Sequence, residues 1–138
     1  MSKKFSVELR NCEGDLGFFD SPKYNDCVAW LLAKGYVNWD DDEKKGARIC
    51  EVEVENGEWT YSYGDTENWN TNEELKVSID LLLKYQGIFN NATDEETKDT
   101  TMKGIRGTIE NLRENFDLEL SVDFDKDDKI KGYLILGD

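Results

Sequence analysis

The chain of 138 residues contains no histidine, one proline and three cysteines. Without histidine it cannot form a Ser-His or Cys-His catalytic pair, or a metal site with histidine ligands. The cysteines are odd in number and widely spaced, at Cys12, Cys27 and Cys50, which indicates neither a disulfide framework nor a zinc knuckle. The glycines are scattered at turn positions and form no phosphate-binding loop. An enzyme is therefore the less favoured class, and we expect no cofactor and no metal.

Long apolar segments are also lacking. No apolar run follows Met1, and no stretch reaches the length needed to span a membrane. Together with the cysteine pattern, this favours a reduced, cytoplasmic protein. The hydrophobic content of 38% is typical of a folded chain, and the length predicts a single domain over residues 1–138.

Basic residues are too few to balance the acidic ones: 17 lysines and arginines against 31 aspartates and glutamates give a net charge of -14. Such a chain should repel phosphate backbones and anionic membranes, so we expect no direct contact with nucleic acid. It should attract a basic protein and associate with it rapidly. The alternative is that the acidity serves solubility alone.

Hydrophobic periodicity predicts elements in the order β-α-ββ-α-α-ββ, with a further short strand at residues 17–19. The pattern indicates an α+β fold: a single layer of mostly antiparallel sheet with helices packed on one face. The last strand is apolar on both faces, so we expect it to be central in the sheet. Ser21, Thr71 and Thr93 are the predicted N-caps. The predicted strands cover residues 4–11, 47–63 and 118–136, the helices residues 22–34, 71–86 and 93–116, and the main loops residues 36–46 and 64–70.

Residues 47–63 are predicted to form a β-hairpin. Asn56-Gly57 suits a type I′ turn, in which both central residues need positive φ. This turn pairs Glu55 with Glu58, and the same register extends along both strands to the pair Cys50 and Tyr63. One face of the hairpin is then apolar and aromatic, and the other carries four glutamates: Glu51, Glu53, Glu55 and Glu58.

These four glutamates are the main candidate for a binding surface. Side chains on one strand face repeat every ~6.8 Å, close to the separation of successive phosphates along a nucleic-acid strand. Carboxylates in such a row repel one another, so a chain that keeps them can be using their field. Further acids at Glu119, Asp123 and Asp125, and in the segment Asp40, Asp41, Asp42 and Glu43, would extend it. The alternative is a solvated polar face without a partner.

Trp39 and Trp69 are candidate anchors for the same contact. Both follow an asparagine in a predicted loop, and tryptophan is enriched at interface hot spots. The alternative is that each ring folds back over the edge of the core.

Two other sites have weaker sequence support. Asp123, Asp125 and Asp127 are spaced like the start of a calcium loop, but Asp128 and Leu134 replace its glycine and glutamate. These acids fit better as the solvent face and turn of a hairpin. Cys27 and Cys50 lie on predicted core faces, whereas Cys12 is the candidate for a reactive thiol.

In charge, size and lack of catalytic groups the chain resembles small acidic inhibitors that mimic nucleic acid, made by phages and mobile elements against restriction or CRISPR enzymes. No shared motif accompanies this resemblance, so it assigns no functional residues. We expect a non-enzymatic protein that blocks the groove of a basic, nucleic-acid-handling protein. The alternatives are an immunity protein against a cognate toxin, and a small hydrolase that works through carboxylates. The oligomeric state is not indicated.

Overall fold

The computed structural model describes residues 2–10, 16–42, 44–61 and 68–136. They form two compact units, one ending at Glu73 and the other comprising Glu74–Leu136. The elements in chain order are β1 (Ser2–Leu9), β2 (Leu16–Ser21), α1 (Tyr24–Ala33), β3 (Val37–Asn38), β4 (Gly46–Glu55), β5 (Glu58–Tyr61), α2 (Glu73–Asn91), α3 (Glu95–Phe116), β6 (Leu120–Phe124) and β7 (Ile130–Ile135).

The first unit is built on a five-stranded sheet in the order β2-β1-β4-β3, with β5 also paired to β4. The pairs are antiparallel, except that β3 runs parallel to β4. On β4, the neighbouring side chains of Ile49 and Cys50 are at most 1% exposed. Because consecutive residues of a strand point to opposite faces, both faces of the sheet are covered at this point.

Helix α1 packs on the β1 strand through the predicted apolar stripe. The Cys27 thiol donates a hydrogen bond to the carbonyl oxygen of Phe5 at 3.4 Å, and the Phe5 ring meets the Tyr24 ring edge to face. Val28 and Leu31, on the same stripe, are buried. The sequence thus predicts correctly which side of this helix faces the core.

The end of α1 at Gly35 also follows the prediction. Gly35 has a φ of +80°, which favours glycine. Its N–H donates to the carbonyl of Leu32, and the N–H of Tyr36 donates to that of Leu31. These two bonds form a Schellman motif, which satisfies carbonyls that the helix leaves open.

The start of α1 lies beyond the predicted cap. The helix begins at Tyr24, and Ser21 does not occupy the N-cap position. The Ser21 hydroxyl accepts a hydrogen bond from the N–H of Lys23 and donates one of 2.7 Å to the buried carboxyl group of Asp26. The interaction with Asp26 holds the serine outside the helix, so the prediction of an N-cap at Ser21 is wrong.

The other two helix starts are displaced in the same direction. Helix α2 begins at Glu73, two residues after Thr71. The cap of α3 is Asp94, whose carboxylate accepts from the N–H of Thr97 at 3.0 Å, and not the neighbouring Thr93. Where adjacent residues can both cap a helix, the sequence defines the helix start only to within one or two residues.

In the second unit, α2 extends to Asn91, past the end predicted near Gln86. Gly87 lies inside the helix, although an interior glycine costs about 1 kcal/mol relative to alanine. The last turn is held by Asn90, whose side-chain amide donates to the carbonyl of Ile130 and accepts from its N–H. These bonds satisfy the backbone of Ile130, which also pairs with Phe124 of β6, and such contacts outweigh the local preference of Gly87.

The last strand is not central, contrary to the prediction. β7 pairs with β6 in a two-stranded sheet, the only pairing of β7 within the described residues. One of its faces contacts α2, where the Tyr133 hydroxyl donates to the carbonyl of Leu82 at 2.6 Å. On the other face Leu134 is 51% exposed. The apolar pattern of β7 therefore includes side chains that the described fold does not cover.

The α+β class is confirmed, and the order of elements agrees with the prediction, with β2 at the short strand predicted for residues 17–19 and with one additional short strand, β3. The strands lie in two sheets and not in a single layer. This difference arises because hydrophobic periodicity locates the strands, whereas contacts between residues far apart in sequence determine which strands pair. That residues 1–138 form one domain stays a prediction. None of the described helices combines the length and apolar character needed to cross a membrane.

Candidate acidic interface

The β4–β5 hairpin positions the predicted glutamates as the sequence indicated. Asn56 and Gly57 have positive φ, and the register pairs Glu55 with Glu58 and Val52 with Tyr61. The predicted pair of Cys50 with Tyr63 lies outside the described residues. Because the register is confirmed, Glu51, Glu53 and Glu55 follow one another along one face of β4.

The row of glutamates is partly neutralised at its inner end. Lys3 lies opposite Glu53 on the neighbouring strand β1, and its ammonium group is 3.3 Å from the carboxylate of Glu51. The Glu51 side chain is only 26% exposed, whereas Glu55 and Glu58 are both exposed. Glu53 has Lys3 opposite it, so we call only Glu55 and Glu58, at the outer end of the row, the acidic tip.

The acidic tip places like charges together without a compensating cation. Residues directly opposite on antiparallel strands have Cβ atoms about 5 Å apart, so Glu55 and Glu58 repel each other. Within the described residues, no lysine or arginine forms an ion pair with a carboxylate of the tip. The tip therefore has a negative field that the fold does not neutralise locally.

The second acidic segment has a different role. We call Asp40, Asp41 and Asp42 the acidic loop; the predicted fourth member, Glu43, lies outside the described residues. Asp42 accepts hydrogen bonds from the backbone N–H groups of Lys44 at 2.7 Å and Lys45 at 3.2 Å. These bonds lower the pKa of the Asp42 carboxyl below its ordinary value.

Asp40 is likewise engaged by the fold. Its carboxylate is 3.4 Å from the guanidinium group of Arg10, which also donates to the carbonyl of Trp39 at 2.9 Å. The pair is exposed and contributes little on its own, but it joins the loop to the end of β1. Two of the three described loop acids thus hold the turn between β3 and β4.

The structure does not bring the acidic loop and the acidic tip together. The loop adjoins Gly46, where β4 begins, and the tip contains Glu55, where β4 ends. Nine residue steps along a strand correspond to about 30 Å. The Debye length at physiological salt is only about 8 Å, so the two groups act as separate charges. The expectation that Asp40 to Glu43 extends the glutamate row is not supported by the described residues of that segment.

Trp39 is buried, with 8% of its surface exposed. The guanidinium groups of Arg48 and Arg10 lie 4.1 Å and 5.3 Å from its ring centroid. Arg48 also donates from two nitrogens to one carboxylate oxygen of the buried Glu8, at 2.7 Å and 3.0 Å. These cation–π and ionic contacts hold the ring in the unit.

Trp69 is buried as well, with 2% exposed, and its indole N–H donates to the carbonyl of Ala47 at 2.7 Å. Both tryptophans therefore match the alternative reading, in which loop rings fold back over the core. In this conformation neither ring is accessible as an anchor, because a partner would first have to displace it.

Sequence reasoning missed a different row of aromatic side chains. The ring of Trp30 stacks between Phe19, at 5.6 Å, and Tyr36, at 6.2 Å. Two lysines cover the row, with Lys34 over Trp30 and Lys45 over Tyr36. All three rings are partly exposed. One feature of the sequence indicates this row: Trp30 lies off the apolar stripe of α1, so a partly exposed ring is expected there.

The buried cysteines and Tyr133 are poor candidates for acid–base or nucleophilic chemistry. Burial, together with the nearby charges of Asp26 and Asp20, raises the pKa of the Cys27 thiol to about 12. Cys50 is also buried, and Cys12 lies outside the described residues. Burial similarly raises the pKa of Tyr133 to about 12. Cys27 and Tyr133 therefore stay protonated at neutral pH.

The acids of the second hairpin form its face and turn, as the sequence indicated. Asp125 accepts hydrogen bonds from the N–H groups of Asp127 at 2.8 Å and Lys129 at 3.0 Å. The carboxylate of Asp123 is 3.8 Å from the ammonium group of Lys131. No cluster suited to a metal ion occurs in the described part of the chain.

Comparison with known proteins yields no match: no protein-family model fits the chain, and no curated protein or solved structure is significantly similar to it.

Proposed function

We propose that this protein is a non-enzymatic, cytoplasmic inhibitor that binds a basic, nucleic-acid-handling protein and blocks its nucleic-acid groove. The acidic tip is the observation on which the proposal depends. Glu55 and Glu58 are exposed on a paired hairpin, so the backbone fixes where their side chains emerge. A strand spacing of ~6.8 Å lets Glu53 and Glu55 meet cationic groups that otherwise hold successive phosphates.

The energetic character of the tip supports a binding role. Opposed like charges on a hairpin reduce folding stability, and no local cation relieves them within the described residues. A basic groove would relieve this repulsion on binding. The net charge of -14 would also steer the protein toward such a groove, and the effect falls as salt rises.

An immunity protein for a cognate toxin is the second candidate. The separation of about 30 Å between the loop and the tip favours it, because an isolated charged tip suits a discrete contact with a compact partner better than a track along a long groove. Well-packed specific contacts would survive moderate salt, whereas a contact dominated by charge pairing would not.

The test is a pull-down from a host lysate with the tagged protein, treated with nuclease and carried out at low and then high salt. The wild type is compared with the double variant Glu55→Lys and Glu58→Lys. We expect the wild type to retain a nucleic-acid enzyme at low salt and lose it at high salt, and the variant to retain none.

The matched control carries the same charge change at two exposed acids of the other unit, Glu114→Lys and Asp127→Lys. This control should retain the partner. Equal capture by the wild type and the tip variant would contradict the role of the tip. A single partner held through high salt would support the immunity protein instead.

A further inference from the structure

A groove of about 450 Å³ lies in the second unit between helix α3 and strand β6. This volume is within the range of typical ligand sites. The wall on α3 contains Arg106, Ile109, Glu110 and Arg113, and the opposite side is lined by Glu119, the first residues of β6 and Leu136. Leu136 is 49% exposed, so the groove leaves apolar surface in contact with water.

The strand side of the groove presents backbone hydrogen-bonding groups. The N–H of Leu136 donates to the carbonyl of Glu119, which makes these two residues a hydrogen-bonded pair. Hydrogen-bonded and non-hydrogen-bonded residue pairs alternate along antiparallel strands. The backbone N–H and C=O groups of Ser121 therefore also point toward β7, whereas those of Leu120 and Val122 point away from it. Among the described strands, β7 is the only one that pairs with β6.

The helix side of the groove carries a local positive charge at Arg106, although the two arginines and the two glutamates of the lining, Glu110 and Glu119, cancel in sum. Arg113 is 3.5 Å from the carboxylate of Glu110, and both side chains are more than half exposed. Arg106 is exposed, and none of the ion pairs found among the described residues involves it. A carboxylate that enters the groove could therefore pair with Arg106 without first breaking an existing ion pair.

We propose that this groove binds an extended peptide segment of a partner protein, which adds to the open edge of β6 as a third strand. Backbone bonds to Leu120 and Val122 would set its register, as in other peptide sites at sheet edges. Along the peptide, one groove-facing residue would be apolar and contact Ile109. The next, two positions away, would carry a carboxylate for Arg106.

In the register centred on Ser121, the charges of β6 disfavour a second copy of this chain as the occupant. Two copies of β6 paired antiparallel about Ser121 would place Glu119 of each opposite Asp123 of the other. Directly opposed like charges destabilise a strand pair. An acidic peptide avoids this clash when its carboxylate lies on the groove side, near Arg106.

The test uses the full chain labelled with ¹⁵N and the capped peptide Thr-Val-Thr-Glu-Thr at millimolar concentration. We expect the amide resonances of Leu120 and Val122 to shift. The peptide with lysine in place of glutamate should bind about three- to fivefold more weakly, as for an exposed ion pair. A peptide N-methylated on every residue should not bind, because neither of its edges can then donate hydrogen bonds to the edge of β6.

Arg106→Glu should reverse the preference between the two peptides, and the control Lys103→Glu, an exposed position on the same helix outside the groove, should not. Unchanged resonances of Leu120 and Val122, or binding that tolerates N-methylation, would overturn the proposal. A shift of these resonances with protein concentration alone would identify a second copy as the occupant and would overturn it too.

Discussion

The acidic loop and the acidic tip carry similar charge but relate to the fold in opposite ways. In the loop, Asp42 accepts two backbone hydrogen bonds and Asp40 meets Arg10. In the tip, Glu55 and Glu58 face each other and have no cation beside them among the described residues. The loop acids stabilise a turn, whereas repulsion between the tip acids destabilises the hairpin that carries them.

This contrast shows why a count of acidic residues does not locate a binding surface. A carboxylate that satisfies backbone N–H groups has a structural role and is already solvated by the protein. A carboxylate that lowers stability requires another explanation, either solubility or a partner. We therefore assign the candidate interface to the tip and not to the loop.

The largest expected effect concerns the packing of the loop. A Cβ atom on Gly46 would lie 2.5 Å from the carbonyl oxygen of Asp42 and 2.6 Å from that of Trp39. Gly46→Ala must therefore displace the loop, and we expect a loss of about 3 kcal/mol in the free energy of unfolding. Urea denaturation measures it. Gly132→Ala, where nothing lies within 4 Å, serves as the control. Equal stability of the two variants would show that the loop is not tightly packed.

A smaller loss is expected for Asp42→Asn, because an uncharged acceptor forms weaker bonds to the two N–H groups. The folded state lowers the pKa of Asp42, so its stabilising effect is present above the ordinary pKa and is lost as pH falls through the lowered value. The difference from the wild type should thus shrink as the pH falls below the ordinary aspartate pKa of about 3.9.

The control for this prediction is Asp41→Asn, an exposed neighbour in the same loop. It should change the urea midpoint little at any pH. If both variants lose the same stability, net charge and not the hydrogen bonds of Asp42 would be the cause.

Local features of the fold were predictable where short-range chemistry decides them. The turn Asn56-Gly57, the hairpin register and the end of α1 at Gly35 all depend on residues that tolerate positive φ. The helix continuing through Gly87 was not predictable, because contacts of Asn90 with Ile130, 40 residues away, hold it. The pairing partners of the strands were not predictable either, because long-range contacts determine them.

The candidate site was predictable only in part, for a similar reason. The order of the glutamates follows from strand alternation, but the neutralising Lys3 comes from a strand that is distant in sequence. The burial of Trp39 likewise depends on Arg48 and Glu8, which the sequence pattern does not connect. A loop position alone does not indicate whether a tryptophan is exposed.

The most direct test of the account is the stability of Glu58→Gln, because the central claim is that the tip acids are kept at a cost to folding. Removing one of two opposed charges should raise the free energy of unfolding by about 0.2–1 kcal/mol at low salt, and high salt should reduce the gain. Urea denaturation at the two salt concentrations measures both effects. A variant less stable than the wild type would show that Glu58 supports the hairpin, and it would contradict the assignment of the tip to a partner.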